Sequence, residues 1–292
     1  MVSSRQSTNV GTVSFGRVRR IWKKYDLAIV GGVFVMLILF CTIFAPLLTP
    51  YDPTVNDIKV RLQGPSLLHP FGTDQFGRDL LARVLYGGRP ILLVSFLSVA
   101  TALALGIAVG MSAAYWGGWL DSLLMRLMDV LLSFPSVLLA ILIVAALGPG
   151  LSNVMVAITV SMIPIFSRLV RSVVVTLVNE DYVAAAKALG AVNARVIVRH
   201  IFPNMIPAII IQASALLAVA IGTATALNFL GLGVEPPTPD WGLMVSDGQK
   251  LIFDAPHVPL FPGLVITLTV LSVNYIGDGL RDRLDPRLRG QG

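Results

Sequence analysis

Residues 130–167 read VLLSFPSVLLAILIVAALGPGLSNVMVAITVSMIPIFS, a run of 38 residues without a charged side chain. A helix rises about 1.5 Å per residue and the hydrocarbon core of a bilayer is about 30 Å thick, so this run is too long for a single crossing. It is interrupted at 147–153 by LGPGLSN, which is a turn signal. The pattern therefore predicts two membrane-spanning helices, one that ends near Leu147 and one that starts near Val154.

The rest of the chain also alternates between apolar runs and charged blocks. Only 13% of its residues are charged, about half the fraction that is usual in a soluble domain. The first apolar run, residues 27–48, exceeds the roughly 7–15 apolar residues of a secretory signal peptide, so we expect it to remain as a span. The predicted fold class is all-α, a polytopic membrane protein with six transmembrane helices: 27–48, a segment within 90–120, the two just described, 205–229 and 259–276.

Basic residues predict the orientation of these spans, because Lys and Arg accumulate in cytoplasmic segments. They cluster in an N-terminal tail (1–26), in a loop between spans four and five (172–204) and in a C-terminal tail (278–292). With six spans these three segments share one side, which we expect to be the cytoplasm. The segment 49–89 is basic as well but falls outside. Its aspartates predict a small, charge-paired folded element with a short helix, ahead of a five-helix core at 90–277.

Several kinds of chemistry are missing from the sequence. There is no GxxxxGK[ST] phosphate loop, no HExxH and no CxxC, and the three histidines lie far apart. We therefore expect no cofactor, no metal and no enzymatic activity of the chain's own. The net charge of +6 is explained by the cytoplasmic segments, so we expect no nucleic acid partner. Cys41 is alone in an apolar run and is interpreted as a small hydrophobic residue.

Acidic residues that could couple transport to an ion gradient are scarce within the spans. Asp129 is the one weak candidate, and we interpret it as a helix-end residue paired with Arg126 or a neighbour. A transporter without an ATP site or an ion site needs energy from another subunit. Span two also contains a GxxxG pattern at Gly106 and Gly110, which indicates close helix packing or arises by chance in a Gly- and Ala-rich segment.

The loop between spans four and five predicts a helix, a glycine turn and a second helix. Asn179 is a candidate N-cap, and the acidic residues 180–181 favour the first turn of the helix that follows. Gly190 fits the left-handed position after a helix end. Asn193 could cap the second helix, which Pro203 would end. The result is a knob with small alanine side chains that can fit closely into a groove of another protein.

This loop resembles the EAA loop of permease subunits in ABC importers, where Glu-Ala-Ala is followed by three residues and a glycine. Ala184 replaces the family's glutamate, so the polar contact that the glutamate is thought to make with the ATPase is in question here. The end of the motif is only loosely matched. The coupling residues implied by the resemblance are Ala184, Ala185, Ala186, Gly190, Ile201 and Pro203.

A second segment narrows the resemblance. Residues 69–83 read HPFGTDQFGRDLLAR, similar to the HxxGTDxxGRDxxSR signature in the "C" permease subunit of dipeptide and oligopeptide importers, with Ala82 in place of the serine. Shorter matches follow at 133–135, 228–233, 236–242 and 277–287. The structural motif implied comprises Gly72, Thr73, Asp74, Gly77, Arg78, Asp79 and Arg83.

The residue types in this motif suggest a local structure. If residues 76–86 are helical, Asp74 caps the helix and Asp79 pairs with Arg83. Gly72 and Gly77 would permit tight turns. We interpret the motif mainly as a closure of the outer mouth that packs on a paired permease; contact with a substrate-delivering protein is the alternative.

The resemblance implies an ABC importer permease of type I fold that moves dipeptides or oligopeptides across the bacterial cytoplasmic membrane. Its implied partners are a homologous permease in a heterodimer, two cytoplasmic ATPases, an extracytoplasmic substrate-binding protein and the lipid bilayer. Nickel, glutathione or another small solute is the alternative cargo. An ion-coupled secondary transporter and a structural membrane scaffold are the alternatives from other classes.

Overall fold

The computed structural model describes the backbone of residues 15–284 and the side chains of residues 27–284. This part of the chain is all-α, with one isolated bridge between Thr73 and Asp79 in place of a sheet. The longer helices are α1 (Phe15–Ile43), α3 (Leu80–Trp116), α4 (Gly118–Leu132), α5 (Ser136–Leu147), α6 (Leu151–Val178), α9 (Phe202–Phe229) and α11 (His257–Leu284). The short helices are α2 (Ala45–Leu48), α7 (Asp181–Ala188), α8 (Asn193–Val196) and α10 (Trp241–Gly248), with 3-10 turns at Ile58–Val60 and Gln249–Leu251 and a π-helical turn at Ile197–Ile201.

Four of the described helices are long and apolar enough to cross a bilayer: α3, α6, the continuous unit Asn193–Phe229, and α11. A fifth candidate consists of α4 and α5, which meet at an angle of 88°. The apolar part of α1, Leu27–Ile43, is shorter. A helix lies at each predicted span, and the count of six stays a prediction. The predicted split within residues 130–167 is confirmed, because α5 ends at Leu147 and α6 begins at Leu151.

Several helices extend past the predicted limits of the spans. Helix α3 begins at Leu80, within the predicted segment 49–89, and runs on without a break into the second span. The third span is broken at Pro135, which has no backbone N–H to continue the α4 ladder. Both predicted tails are partly helical, since α1 starts at Phe15 and α11 continues to Leu284; residues 1–14 and 285–292 lie outside the described residues.

The most extensive helix contact joins α3 and α6. Gly106 and Gly110 lie at this contact, and an added Cβ at Gly106 would overlap the Cβ of Phe166. A Cβ at Gly110 would lie 2.9 Å from the Cβ of Val170. The close-packing interpretation of the GxxxG pattern is therefore confirmed, because only glycine lets the two backbones approach this far.

The two ends of α3 hold two different structures. At its N-terminal end lie residues 49–79, here called the cap. Helix α10 contacts the same end of α3, where the indole of Trp241 donates to the carbonyl of Val84 at 2.7 Å. At its C-terminal end, Met111 and Tyr115 pack against the buried cluster of the coupling loop, residues 172–204. Helices α1 and α9 pack along α11. The fold therefore places the two sequence motifs at opposite ends of one helix.

We predict that Gly110→Ala lowers the thermal unfolding temperature of the detergent-extracted protein, because its new Cβ meets the backbone and side chains of α6. Gly32→Ala is the matched control, since a Cβ there meets nothing within 4 Å. Both substitutions gain the same helix propensity, up to about 1 kcal/mol. The difference between the unfolding temperatures of the two variants therefore reports the effect of packing alone. Equal unfolding temperatures for the two variants would contradict the close approach of α3 and α6.

Candidate functional site

The cap is organised by a buried carboxylate, that of Asp74. One of its oxygens lies 2.6 Å from Nε of Arg78 and 3.5 Å from Nε of Arg83, and the other accepts the backbone N–H groups of Phe76 and Arg78. All three charged side chains are almost fully buried. A buried charge is tolerated only when it is paired and hydrogen-bonded. Asp74 therefore supplies the carboxylate that pairs directly with both buried arginines.

Arg83 connects the cap to a distant part of the chain. Its Nη1 donates to the carbonyl of Pro53 at 2.9 Å and to that of Pro237 at 3.3 Å. Asp247 of α10 faces the same cluster, and burial raises its pKa, although Arg78 and Arg83 partly oppose that rise. The cluster thus joins the cap, the start of α3 and the segment between α9 and α11.

Asp79 is the N-cap of α3, because its side chain accepts the backbone N–H of Ala82 at 2.7 Å. Its other oxygen lies 2.9 Å from Nδ1 of His69. The expected cap at Asp74 and the expected Asp79–Arg83 pair are therefore wrong. The physical reason is that α3 starts at Leu80, so Asp79 occupies the capping position and Asp74 is left to pair with the arginines.

The glycine and threonine residues of the motif hold the cap in a narrow hairpin. Gly72 and Gly77 have φ values of 79° and 74°, which confirms the predicted tight turns because glycine adopts these angles without strain. A Cβ at Gly77 would overlap the carbonyl of Asp57. The Thr73 hydroxyl donates to the carbonyl of Val60 and accepts the N–H of Gln63. The motif residues therefore lie together, and their geometry is that of a structural element.

A second polar element closes the same end of the bundle. Asp240 caps α10 by accepting the N–H of Gly242 at 2.8 Å, and its other oxygen accepts the side-chain amide of Asn228 at 2.9 Å. Burial raises the pKa of Asp240 to about 6. The bond from Asn228 to Asp240 joins the end of α9 to the start of α10, a helix that the sequence analysis did not predict.

Two ion pairs that the sequence analysis missed connect α4 to α6. Arg171 binds Asp121 through two parallel bonds of 2.5 Å, and Arg168 binds Asp129. Asp129 is therefore paired as expected, but with Arg168 in place of Arg126. The spacing along each helix carried a signal. Asp121 and Asp129 are eight residues apart in α4, so the two aspartates lie on one face of that helix; Arg168 and Arg171 are three residues apart in α6, so the two arginines also share a face. These four residues line an open pocket of about 400 Å³.

The coupling loop has the predicted order of helix, glycine turn and helix. Gly190 has a φ of 82°; its N–H donates to the carbonyl of Lys187, and the N–H of Ala191 donates to that of Ala186. These two bonds define a Schellman motif that ends α7, so the predicted role of Gly190 is confirmed. Asn193 starts α8 but makes no capping bond.

Two other expectations for this loop are wrong. Asn179 ends α6, and its amide binds the carbonyl of Val175, so it does not cap α7. Pro203 lies in the first turn of α9 and does not end the second helix. A proline is accommodated there because first-turn N–H groups have no partner within the helix.

The predicted coupling residues divide into an exposed set and a buried set. Ala184, Ala185, Gly190 and Pro203 are exposed and Ala186 is partly buried. Ile201 is buried and packs with residues of α6, α7 and α9: Val170, Val174, Val183 and Met205. The sequence analysis missed an exposed apolar group beside the alanines, formed by Leu189, Val192 and Val198.

Long apolar helices with a polar, folded cap at one end and a helix-turn-helix loop at the other are the features of a polytopic membrane protein. Residues 106–290 match the family model of the binding-protein-dependent transport system inner membrane component. Residues 14–65 match the N-terminal transmembrane domain of oligopeptide transport permease C. The chain belongs to the binding-protein-dependent transport family, and it is a permease subunit of the ABC importer type.

Relatives support this assignment over most of the chain. The dipeptide transport system permease protein DppC of Alkalihalophilus pseudofirmus is 50% identical over 91% of this chain and 88% of the relative. The glutathione transport system permease protein GsiD of Pectobacterium atrosepticum is 41% identical over 93% and 91%. A solved structure of the methionine ABC transporter MetNI covers 69% of this chain and 96% of that chain, with 17% identity and a TM-score of 0.56, and so shows the same fold.

We predict that Asp74→Asn destabilises the detergent-extracted protein by about 3–5 kcal/mol, because Arg78 and Arg83 lose the carboxylate that pairs with both of them. The readout is the midpoint of unfolding, by heat or by denaturant. Asp52→Asn is the control, since Asp52 is exposed and its side chain accepts hydrogen bonds from the nearby Thr54 and not from an arginine. An Asp74 variant as stable as the Asp52 variant would refute the buried cluster.

Proposed function

We propose that this chain is one of two homologous permeases in an ABC importer for dipeptides or oligopeptides in the bacterial cytoplasmic membrane. The single observation that carries this proposal is the 50% identity to a dipeptide permease along nearly the whole chain. The chain itself performs no chemistry in this proposal. Two ATPases on the cytoplasmic side supply the energy, and an extracytoplasmic binding protein delivers the cargo.

The coupling loop is proposed to lie in the cytoplasm, together with both termini and in contact with the ATPases. The concentration of Lys and Arg in these segments supports that side. The surface of the loop supports the contact: Leu189 is 89% exposed, and Val192 and Val198 of the same loop are exposed as well. Exposed apolar side chains gathered on one segment are a feature of protein interaction sites. Ala184 and Ala185 are exposed too, and their side chains are small.

The buried set of the loop supports a mechanism for coupling. Val183 of α7 has no exposed surface and packs with Val174 of α6 and Met205 of α9. A displacement of α7 by the ATPases would therefore move the ends of α6 and α9 together, because closely packed interiors transmit a shift instead of absorbing it. Since α6 packs on α3, the movement would reach the cap end of the bundle and change which side of the membrane the pathway opens to.

Glutathione is the second candidate cargo, because permeases of glutathione systems are 41% identical to this chain. Glutathione is a tripeptide with a γ-linkage, so both candidates belong to one chemical class. Dipeptide or oligopeptide cargo is favoured over glutathione, because this chain is more similar to the dipeptide permease, with 50% identity against 41%.

Reconstitution tests the function directly. The chain is combined in liposomes with its paired permease, ATPases and binding protein, and uptake of labelled dipeptides, longer peptides and glutathione is measured with and without ATP. ATP-dependent uptake of dipeptides is the expected result. Uptake by this chain alone, driven by an ion gradient, would overturn the proposal, and ATP-dependent uptake of glutathione only would change the cargo.

We predict that Gly190→Val lowers ATP-dependent uptake at least tenfold while membrane insertion is retained. A Cβ at Gly190 meets only open space, so the change acts through the backbone: valine is strongly disfavoured at a φ of 82°. Gly190→Asn is the matched control, because asparagine tolerates this conformation. Uptake by the valine variant at the level of the asparagine variant would show that the Schellman turn has no role in coupling.

A further inference from the structure

The open pocket between α4 and α6 is lined by two ion pairs. Arg171 holds the carboxylate of Asp121 through two parallel bonds of 2.5 Å, and Arg168 binds Asp129. The pocket volume of about 400 Å³ falls within the range of small-molecule sites in proteins. The pocket therefore combines room for a ligand of a few residues with charges of both signs.

The pocket lies at the cytoplasmic border of the hydrocarbon layer, in the orientation proposed above. Arg168 directly follows the uncharged run 130–167. Helix α6 ends at Val178, which is about 15 Å further along at 1.5 Å per residue. Charged side chains at this depth face a water-filled path or another protein surface, because lipid chains cannot solvate them. The two pairs are therefore placed to meet a solute that passes through the permease.

The pocket opens on the side of α4 that is turned away from an apolar stripe. The stripe follows the helical spacing of three and four residues, and its side chains are all exposed: Trp119, Leu123, Leu127 and Val130. At about 100° per residue, Asp121 and Asp129 lie about 150° around the helix from the centre of the stripe. The stripe fits contact with lipid, because tryptophan is enriched at bilayer interfaces. An occupant of the pocket therefore approaches from the opposite side of the helix.

The charges of the pocket select one class of ligand. Two carboxylates and two guanidinium groups sum to no net charge, so the site as a whole attracts neither a cation nor an anion. A molecule that carries one ammonium group and one carboxylate finds a partner for each, and arginine binds carboxylates especially well through parallel hydrogen bonds. The free ends of a short peptide provide these two groups.

The outer pair can exchange its internal bond for bonds to such a ligand. The side chains of Arg168 and Asp129 are 53% and 54% exposed, and exposed ion pairs contribute little to stability. The cluster around Asp74 in the cap is almost fully buried, so breaking it would leave buried charges without a partner. At the outer pair, a peptide carboxylate would replace Asp129 on the arginine while the peptide ammonium binds Asp129, so every charge stays paired.

We propose that Arg168 and Asp129 form a binding site for the two charged ends of a short peptide, on the cytoplasmic side of the transport path. The inference rests on the proposed function, which makes short peptides the cargo. The other uncharged residues of the lining are Ser122 and Met125. A methionine adapts to many shapes, and neither residue offers a charge to a peptide side chain. The site therefore recognises the ends of a peptide and not its sequence.

The test measures peptide binding to the two permeases and two ATPases in lipid nanodiscs, by titration with saturation-transfer NMR. The binding protein is left out, so that its own selectivity does not enter. The ligands are the dipeptide alanylphenylalanine with free ends and the same dipeptide with an acetylated N-terminus and an amidated C-terminus. The variants are Asp129→Asn/Arg168→Gln and, as the matched control, Arg126→Gln, which changes an exposed arginine of α4 outside the pocket lining.

We expect wild type to bind the free dipeptide more tightly than the blocked one. The double variant raises the Kd of the free dipeptide by about tenfold or more, as the loss of hydrogen bonds between charged groups implies, and leaves the Kd of the blocked dipeptide unchanged. Arg126→Gln binds both peptides as wild type does. The unfolding temperatures of the three proteins are equal, because the outer pair is exposed.

Four results would overturn the site. Equal binding of the two peptides by wild type would show that the charged ends are not recognised, and equal losses for both peptides in the double variant would assign the pair to holding α4 against α6. Separation of the two permeases in the double variant would assign the pair to their interface. A wild-type affinity that falls as phosphatidylethanolamine replaces phosphatidylcholine in the nanodisc would assign the pocket to a lipid headgroup.

Failure of the proposed function is a separate result. It would appear as the absence of ATP-dependent peptide uptake by the complete wild-type importer, whatever the permeases bind in the nanodisc.

Discussion

The close approach of α3 and α6 is the constraint on which the other features depend. Gly106 and Gly110 bring the two backbones together, and no larger residue fits there without moving α6. Since α3 carries the cap at one end and contacts the coupling loop at the other, this contact fixes these two elements relative to each other. The proposed import mechanism needs such a connection, because its energy would arrive at one side of the membrane and its cargo at the other.

The two ends of the bundle are stabilised by different physical means. The cap has little room for a hydrophobic core, and buried ion pairs and capping bonds around Asp74 and Asp79 define its shape. The coupling loop is anchored instead by aliphatic packing around Val183 and Ile201. Charged networks are strongly directional, which suits an element that holds a fixed form. Aliphatic packing suits an element that transmits a displacement as a unit.

An interaction of the site could be predicted from the sequence when its residues lie close together along the chain. The turn at Gly190 was predictable, because a Schellman motif needs only a few successive residues. The cap pairing was not: Asp74 and Asp79 both precede a helix, and the choice between them depends on where α3 begins. The pairs Arg171–Asp121 and Arg168–Asp129 join residues 50 and 39 positions apart, and no local rule selects those partners, even though the spacing along each helix shows a shared face.

The sequence by itself determined the all-helical membrane fold, the split within residues 130–167 and the glycine turns, because hydrophobic run length and left-handed glycines are local properties of the chain. Its motifs also indicated the family. The tertiary structure alone decided that Asp79 and not Asp74 caps α3, that Trp241 of α10 bonds to the start of α3, and that Val198 is exposed while Ile201 is buried. Burial and ion pairing depend on which segments meet in space, and long-range packing of helices sets those meetings.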